Sequence, residues 1–539
     1  MKKTFSWILV LALLLTCLVI PASAESDPVV ITVTVGDKTN VEDYNTNLQT
    51  LYVEEKLGVD LQITALDSSD YTSKINLMVN AGDKLNDVIV GSFGSAVIYG
   101  WAQEGALTPI TDYYYDETVA VNILDAIDRV GYDFRSLMVL PDGEIYAFPN
   151  LNQSYGNEHG EGRLWIYKPF LDTLGEAVPT DGFTTEQFEA LLEKAVATDM
   201  NGNGINDELG VVGYGGVGGQ WFNYLMNPFV QCNDGKNWMI VNDGVVSFAY
   251  TTEEWRQGVE WIKGLLDKGL IPDEALTQDF ATAKTMVNTE EVIALCWAYT
   301  NADGMTDPVR KGEYYVVAPL VGPNGVQNVT YNPSVPGDHT VISADCENVE
   351  MAFKAFDLML CEELSITTRF GERGVEWDYV TDLDNPDDYE NPYQAFPGKI
   401  LVYNDSQYWG SGAMQNKSWM QANAFVRQYG IAAGMVVPKG NASEFDLRFS
   451  EGCTLYQTGG YNPEEYIAKL VYSAEEQEIV TDVQTDLNAY VLETTAAWLT
   501  GAQTLDDVSW EAFQKQVEEL KAADWLEVAQ AAYNRSVGK

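Results

Sequence analysis

The feature that most constrains this chain is an alternation of short β-branched runs and amphipathic stretches near its start. Val29 to Val35 alternates and is β-branched, Asn47 to Leu57 has helical periodicity, and Val59 to Ala65 is a second extended run. Asp70 to Ala81 reads as a second helix, and Asp87 to Val90 as a third strand ending in Gly91-Ser92-Phe93-Gly94. Strands separated by a helix's length are joined by crossovers, so they lie parallel in an α/β fold. Further helices are predicted over 184–197, 252–268, 349–363 and 509–521. Thr184 and Gln187 have the spacing of a capping box, with Phe188, Leu191, Leu192 and Ala195 on one apolar face. Residues 382–397, with Asn385-Pro386-Asp387-Asp388 and Asn391-Pro392, have the composition of a loop or linker.

One such sheet does not use up the chain. At roughly 100–200 residues per domain, 539 residues predict two to four lobes or domains. The hydrophobic fraction of 46% is enough for large cores. Eighty acidic residues against 31 basic ones give a net charge of −49. That field repels phosphate backbones and anionic lipid head groups, which argues against nucleic-acid binding and membrane adhesion. With only His159 and His339, no histidine-rich zinc site is available.

The first residues read as an export signal. Lys2 and Lys3 precede an uncharged apolar run from Phe5 to Ile20, and Pro21-Ala22-Ser23-Ala24 offers an Ala-x-Ala cleavage site. Cys17, in Leu14-Leu15-Thr16-Cys17, sits in an imperfect lipoprotein box, because Thr16 stands where a smaller residue is usual. The chain is therefore expected outside the cytoplasm, free after cleavage or lipid-anchored through Cys17. The other five cysteines are scattered without a CxxC pair, so disulfides cannot carry the fold.

The sharpest local motif is Asp199-Met200-Asn201-Gly202-Asn203-Gly204-Ile205-Asn206-Asp207-Glu208. Oxygen-bearing side chains at alternate positions, with a glycine at the sixth, suit a chain curling around a calcium ion. Asp199, Asn201 and Asn203 would give side-chain oxygens, Ile205 its carbonyl, and Asp207 and Glu208 carboxylates. These all-oxygen donors suit a hard cation rather than zinc or copper. Gly210 occupies the twelfth place, so the loop lacks the bidentate glutamate of an EF-hand.

Several short stretches together resemble the extracellular solute-binding proteins of carbohydrate ABC transporters. The resemblance is to the long subgroup that includes alginate-oligosaccharide-binding and related sugar-binding lipoproteins. Its markers, spread over nearly the whole mature chain, are Val53-Glu54-Glu55-Lys56-Leu57-Gly58-Val59, the stretch 74–83, Asp142-Gly143-Glu144-Ile145-Tyr146-Ala147-Phe148-Pro149, Leu164-Trp165-Ile166-Tyr167-Lys168, Gly269-Leu270-Ile271-Pro272-Asp273-Glu274 and 528–535. Tyr167 and Pro169 depart from the Arg and Asp usual in that subgroup. The resemblance implies a two-lobe, periplasmic-binding-protein-like (type II) α/β fold with a hinge and an interlobe ligand cleft. Residues 25–150 and 338–400 would form the N-terminal lobe, and 151–337 and 401–539 the C-terminal lobe. It also implies a structural Ca2+ in the loop 199–208, an oligosaccharide ligand, an ABC permease partner, a monomeric state and no catalysis.

A pyranose offers apolar C–H faces to flat aromatic rings and hydroxyls to polar side chains. Aromatic residues in loops or at strand ends are the candidates: Trp297, Tyr299, Trp409, Tyr155, Trp221 and Phe93. Trp255, Trp261, Trp510 and Trp525 fall at helical spacing and are assigned to the core. The glycine-rich 213–219 stretch, lacking GK[ST], reads as a flexible cleft loop or hinge rather than a phosphate loop. The negative charge favours neutral sugars over uronates, unless local Arg or Lys compensates. A secreted glycoside hydrolase or lyase, or a peptide-binding or adhesive surface protein, would share the signal and the acidity.

Overall fold

A computed structural model describes residues 28–153, 158, 163–298, 305–392, 398–403, 412–432, 435–457 and 466–538. The signal segment and Cys17 lie outside the described residues.

The early alternation folds as its spacing requires. Strands Val29–Gly36 and Val59–Leu66 pair in parallel along their whole length, from Val29 opposite Val59 to Gly36 opposite Leu66. Strand Val88–Ser92 pairs in parallel on the other side of the first. Helix Leu48–Leu57 connects the first two strands and is stopped by Gly58 in the left-handed region, φ 67°. The sheet has six strands, in the order Val426–Arg427, Ala147–Asn152, Gly337–Ile342, Val88–Ser92, Val29–Gly36, Val59–Leu66. Ile31, Val33, Val35, Val88, Ile89 and Val90 are buried in one core with Phe353, Phe356 and Trp419.

A second core gathers around a four-stranded sheet, ordered Tyr314–Val316, Leu164–Tyr167, Ala294–Ala298, Leu209–Val212. Helix Thr185–Val196 lays Phe188, Leu191, Leu192 and Ala195 into it, started by the Thr184–Gln187 capping box. Helices Glu253–Asp267, Ala474–Leu499, Asp507–Glu519 and Ala522–Ser536 complete this core. A third, small core of Ile366, Phe370, Trp377, Ile400 and Ile431 underlies a short sheet of strands between Trp377 and Pro438.

The chain leaves the first core after Leu151 and enters the second at Leu164; it leaves the second after Val329 and is back in the first at Val341. Trp419 to Val426 pack in the first core, where the sequence reading put everything after 400 in the second. Their polar backbone explains the choice: Trp419 N donates to Gln49 Oε1 at 2.9 Å, and its indole N–H to Thr50 Oγ1 at 3.0 Å.

Three further expectations are corrected. The helix read over 349–363 is two, Val349–Leu358 and Glu362–Phe370. Cys361 turns extended and its Sγ accepts from Leu364 N, so Glu362 and Glu363 open a new helix where its dipole favours acids. Residues 382–392 are not a free linker, because Tyr389–Glu390 pairs with Val437–Pro438. The glycine-rich stretch is a packed turn rather than a flexible loop: a Cβ on Gly213 would lie 2.4 Å from Trp221 Cγ. No helix among the described residues is long and apolar enough to cross a membrane.

Candidate functional site

The loop after helix Thr185–Val196 curls as its composition requires. Asp199 sits inside it, its Oδ1 accepting from Gly202 N at 2.7 Å and Asn203 N at 3.0 Å, its Oδ2 from Gly204 N at 2.8 Å. Asn201 Oδ1 takes the Asn203 N–H and Asn203 Oδ1 the Ile205 N–H, at 2.9 and 2.7 Å. Gly202 and Gly204 hold φ of 75° and 87°, which side chains resist. Glu208 is only 4% exposed; its Oε1 accepts from Met200 N at 2.7 Å, while its Oε2 is buried with no hydrogen-bond partner. A buried orphan carboxylate oxygen is costly until a proton or cation meets it. Among the described residues no group of three His, Cys, Asp or Glu side chains is gathered for a metal. A cation here would therefore draw on the Asn201 and Asn203 amide oxygens and the Ile205 carbonyl beside the carboxylates.

The structure places the aromatic candidates differently. Trp297 is fully buried in the second core, its ring 6.1 Å from Tyr214 and 6.4 Å from Phe280. Trp221 is buried against Phe222 at 5.9 Å. Phe93 is buried in the first core between Tyr71 and Trp101, at 5.7 and 4.7 Å. These three are packing residues, because an aromatic ring with apolar neighbours, at a strand end as Phe93 and Trp297 or in the helix Gln220–Met226 as Trp221, gains most by leaving water. Tyr155, Tyr299 and Trp409 lie outside the described residues. Gln153 and Glu158, either side of Tyr155, do meet in a cavity.

That cavity, of about 650 Å³, lies where the chain crosses between the two large cores. Val130, Tyr132 and Gln153 line it from the first, Tyr466, Ala468 and Val537 from the second, and Tyr331 and Ser334 from the returning crossing. Glu158 is its buried polar centre. Its Oε1 accepts from Ser334 N at 3.0 Å and its Oε2 from the Tyr429 hydroxyl, while its carbonyl accepts from Asn332 N at 2.8 Å. Burial pushes the Glu158 carboxyl above its ordinary range, outweighing the hydrogen bonds from Ser334 and Tyr429 that pull it down. Tyr132 Oη donates to the Ser334 carbonyl at 2.6 Å. Tyr331 and Tyr466 meet edge to face, with centroids 4.9 Å apart and planes at 85°. Gln153 is fixed by donating to the Val130 carbonyl at 3.0 Å and accepting from Tyr429 N at 3.3 Å.

At the cavity's edge the two lobes are pinned by charge. Lys469 Nζ reaches Asp338 Oδ2 at 2.7 Å and the Leu137 carbonyl at 3.1 Å, and the Ser95 hydroxyl donates to the same Asp338 oxygen. Sequence reasoning missed this pair and the tyrosines. Tyr132, Tyr331 and Tyr466 sit between regular elements and Tyr429 opens a short helix, so no periodic pattern marks them; only Tyr331 lies close to an expected lobe boundary.

Two α/β cores, crossed more than once by the chain and enclosing a polar, aromatic cavity, define a two-lobed solute-binding protein of the type II periplasmic-binding kind. Residues 38–363, more than half of the chain, match the family model described as bacterial extracellular solute-binding protein, and the chain belongs to that family. It is a binding protein rather than an enzyme, and its family is extracellular. It is 24% identical over 507 residues to the fructooligosaccharide ABC transporter substrate-binding protein FusA of Streptococcus pneumoniae, covering 92% of this chain and 88% of that protein. Among solved structures, an HMO-binding solute-binding protein associated with an ABC transporter, from Bifidobacterium longum infantis, is 18% identical with a TM-score of 0.73, over 95% of this chain and 99% of that one. A FusA EF-hand mutant from S. pneumoniae, in complex with fructo-nystose, is 22% identical with a TM-score of 0.67, over 94% and 99%.

Proposed function

We propose that this chain is the extracellular substrate-binding component of an ABC importer, capturing oligosaccharides between its lobes and delivering them to a membrane permease. The observation that carries the reading is the tyrosine-lined cavity at the crossings, reached by side chains from both cores. Tyrosine supplies a flat face for sugar C–H groups and a hydroxyl for the sugar rim. Ligand that touches both lobes favours the closed state, and that closed state is what a permease reads. The similarity to FusA supports a sugar ligand, and the net charge of −49 favours a neutral one. The protein acts as an exported monomer, freed by cleavage after Ala24 or anchored through Cys17.

A thermal-shift panel of oligosaccharides, oligopeptides and polymers tests this, since ligand that binds the folded state raises the melting temperature. An oligosaccharide is the expected hit, recovered intact; a peptide hit or cleaved sugar overturns the reading. Tyr331→Ala or Tyr466→Ala then weakens binding of that sugar by about 1–3 kcal/mol, roughly 5- to 150-fold in Kd by calorimetry. Unchanged affinity in both removes this cavity from the site.

The loop 199–208 holds a structural calcium ion in the same reading. Asp199, Asn201, Asn203, Asp207 and Glu208 would give side-chain oxygens and Ile205 its carbonyl, with the orphan Glu208 Oε2 turned to account. The EF-hand mutated in FusA supports a cation loop in a relative. Calcium at a hundred times its Kd raises stability by about 2.7 kcal/mol, and Asp199→Ala abolishes the shift. Equal melting with calcium and with chelator contradicts the assignment.

A further inference from the structure

A second chamber of about 490 Å³ adjoins the tyrosine-lined cavity, and the two share Val335 and Ala468 in their walls. Small-molecule sites run from about 300 to 1,000 Å³, so the chamber has room for a ligand unit of its own. Asn237, Met239, Val480, Gln484 and Trp525 bring the second lobe to its wall. Val480 and Gln484 stand one turn apart on helix Ala474–Leu499, so one face of that helix presents both. Among the described residues that line the chamber there is no Asp or Glu, in a chain that carries 80 of them.

At the shared wall Ala468 presents only a methyl group. Its backbone is held on both sides: its carbonyl accepts from Lys236 Nζ at 3.0 Å, and the next residue, Lys469, pairs with Asp338. Beyond Ala468 an amide pair is half used. Asn237 Oδ1 accepts from Gln484 Nε2 and from Asn488 Nδ2, both at 2.9 Å. Asn237 Nδ2 and Gln484 Oε1 are left with no hydrogen-bond partner among the described residues. Both side chains are half-buried, and neither atom is sealed from solvent. The turn that carries Asn237 is fixed. Asn237 and Trp238 hold φ of 53° and 54°, and Trp238 is 3% exposed, its N–H donating to the Asn233 carbonyl at 3.0 Å. A buried tryptophan in the left-handed region is strained backbone that only its surroundings can hold.

We infer that the sugar site continues past Ala468 into this chamber, where Asn237 Nδ2 donates to, and Gln484 Oε1 accepts from, hydroxyls of a further neutral sugar unit. A hydroxyl both donates and accepts, so a donor beside an acceptor suits it. A carboxylate only accepts, and it would meet the Gln484 oxygen with repulsion. The second chamber makes the chain selective for the length of its sugar. This deepens the oligosaccharide reading and rests on it.

Calorimetry with inulin-type fructans and maltodextrins of two to five units is the test. In the series that the wild-type chain binds, affinity rises at least about tenfold with the unit that enters the chamber. Gln484→Met and Asn237→Gly, the second keeping the positive φ, melt near wild type and bind the shortest ligand as wild type does. Each loses about fivefold or more on the longer ligands. Ala468→Phe narrows the passage and lowers the ratio of long-sugar to short-sugar affinity. Wild-type affinity that does not change with length, or variants that keep the wild-type ratio of long to short, overturn the inference and leave the oligosaccharide reading standing. A wild-type chain that no sugar stabilises overturns that reading and this inference with it.

Discussion

Lys469→Met destabilises the folded chain by about 3–5 kcal/mol, because it leaves the carboxylate of Asp338 buried and uncompensated. The Asp338 side chain is 2% exposed and Lys469 15%, so water cannot take the place of the missing charge. Ile467 and Leu470 pack in the second core and Val471 against the first, so Lys469 stands where the lobes meet. Apart from Lys469, the Asp338 carboxylate is met by the Ser95 hydroxyl at Oδ2, and its Oδ1 has no hydrogen-bond partner. Denaturant unfolding reads the loss directly. Asp338→Asn combined with Lys469→Met recovers most of it, since removing both charges leaves none stranded. A single Lys469→Met as stable as wild type contradicts the coupling of the lobes through this pair.

Trp297→Ala loses a similar amount, about 3–5 kcal/mol, and leaves sugar affinity per folded molecule unchanged. The ring is fully enclosed between Tyr214 and Phe280, and its strand pairs with Leu164–Tyr167 on one side and Leu209–Val212 on the other. Truncation therefore opens a cavity in the middle of the second sheet. A folded Trp297→Ala chain of normal stability that has lost sugar binding would return Trp297 to the ligand site.

The contrast between Trp297 and Tyr331 shows what the sequence could and could not carry. Periodicity located Val29–Gly36, Val59–Leu66 and the helix Thr185–Val196 to within a residue or two, because each repeats one residue class at a fixed spacing. Helix Ala474–Leu499, the longest described, was not singled out; its buried residues run from Val480 to Leu499, leaving the first turns without an apolar stripe. The curl of the loop 199–208 was legible for the same local reason, its oxygens falling at alternate positions of one segment. The sugar site was not. The proposed sugar cavity is lined by segments scattered from Val130 to Val537, and whether an aromatic ring faces a core or a cavity depends on partners distant in sequence. Tryptophan was the natural choice for a sugar platform, yet its large apolar area draws it inward, and Trp165, Trp221, Trp255, Trp297, Trp419 and Trp498 are all fully buried. Tyrosine, with a polar tip, is what lines the interlobe cavity.

The most direct test of the central claim is the crystal structure of the chain with the oligosaccharide that stabilises it most. Sugar density between the lobes, in contact with Tyr331, Tyr429 or Tyr466 and with residues of both cores, is the predicted result. Sugar bound on one lobe alone, with the cavity around Glu158 closed to it, would contradict the account.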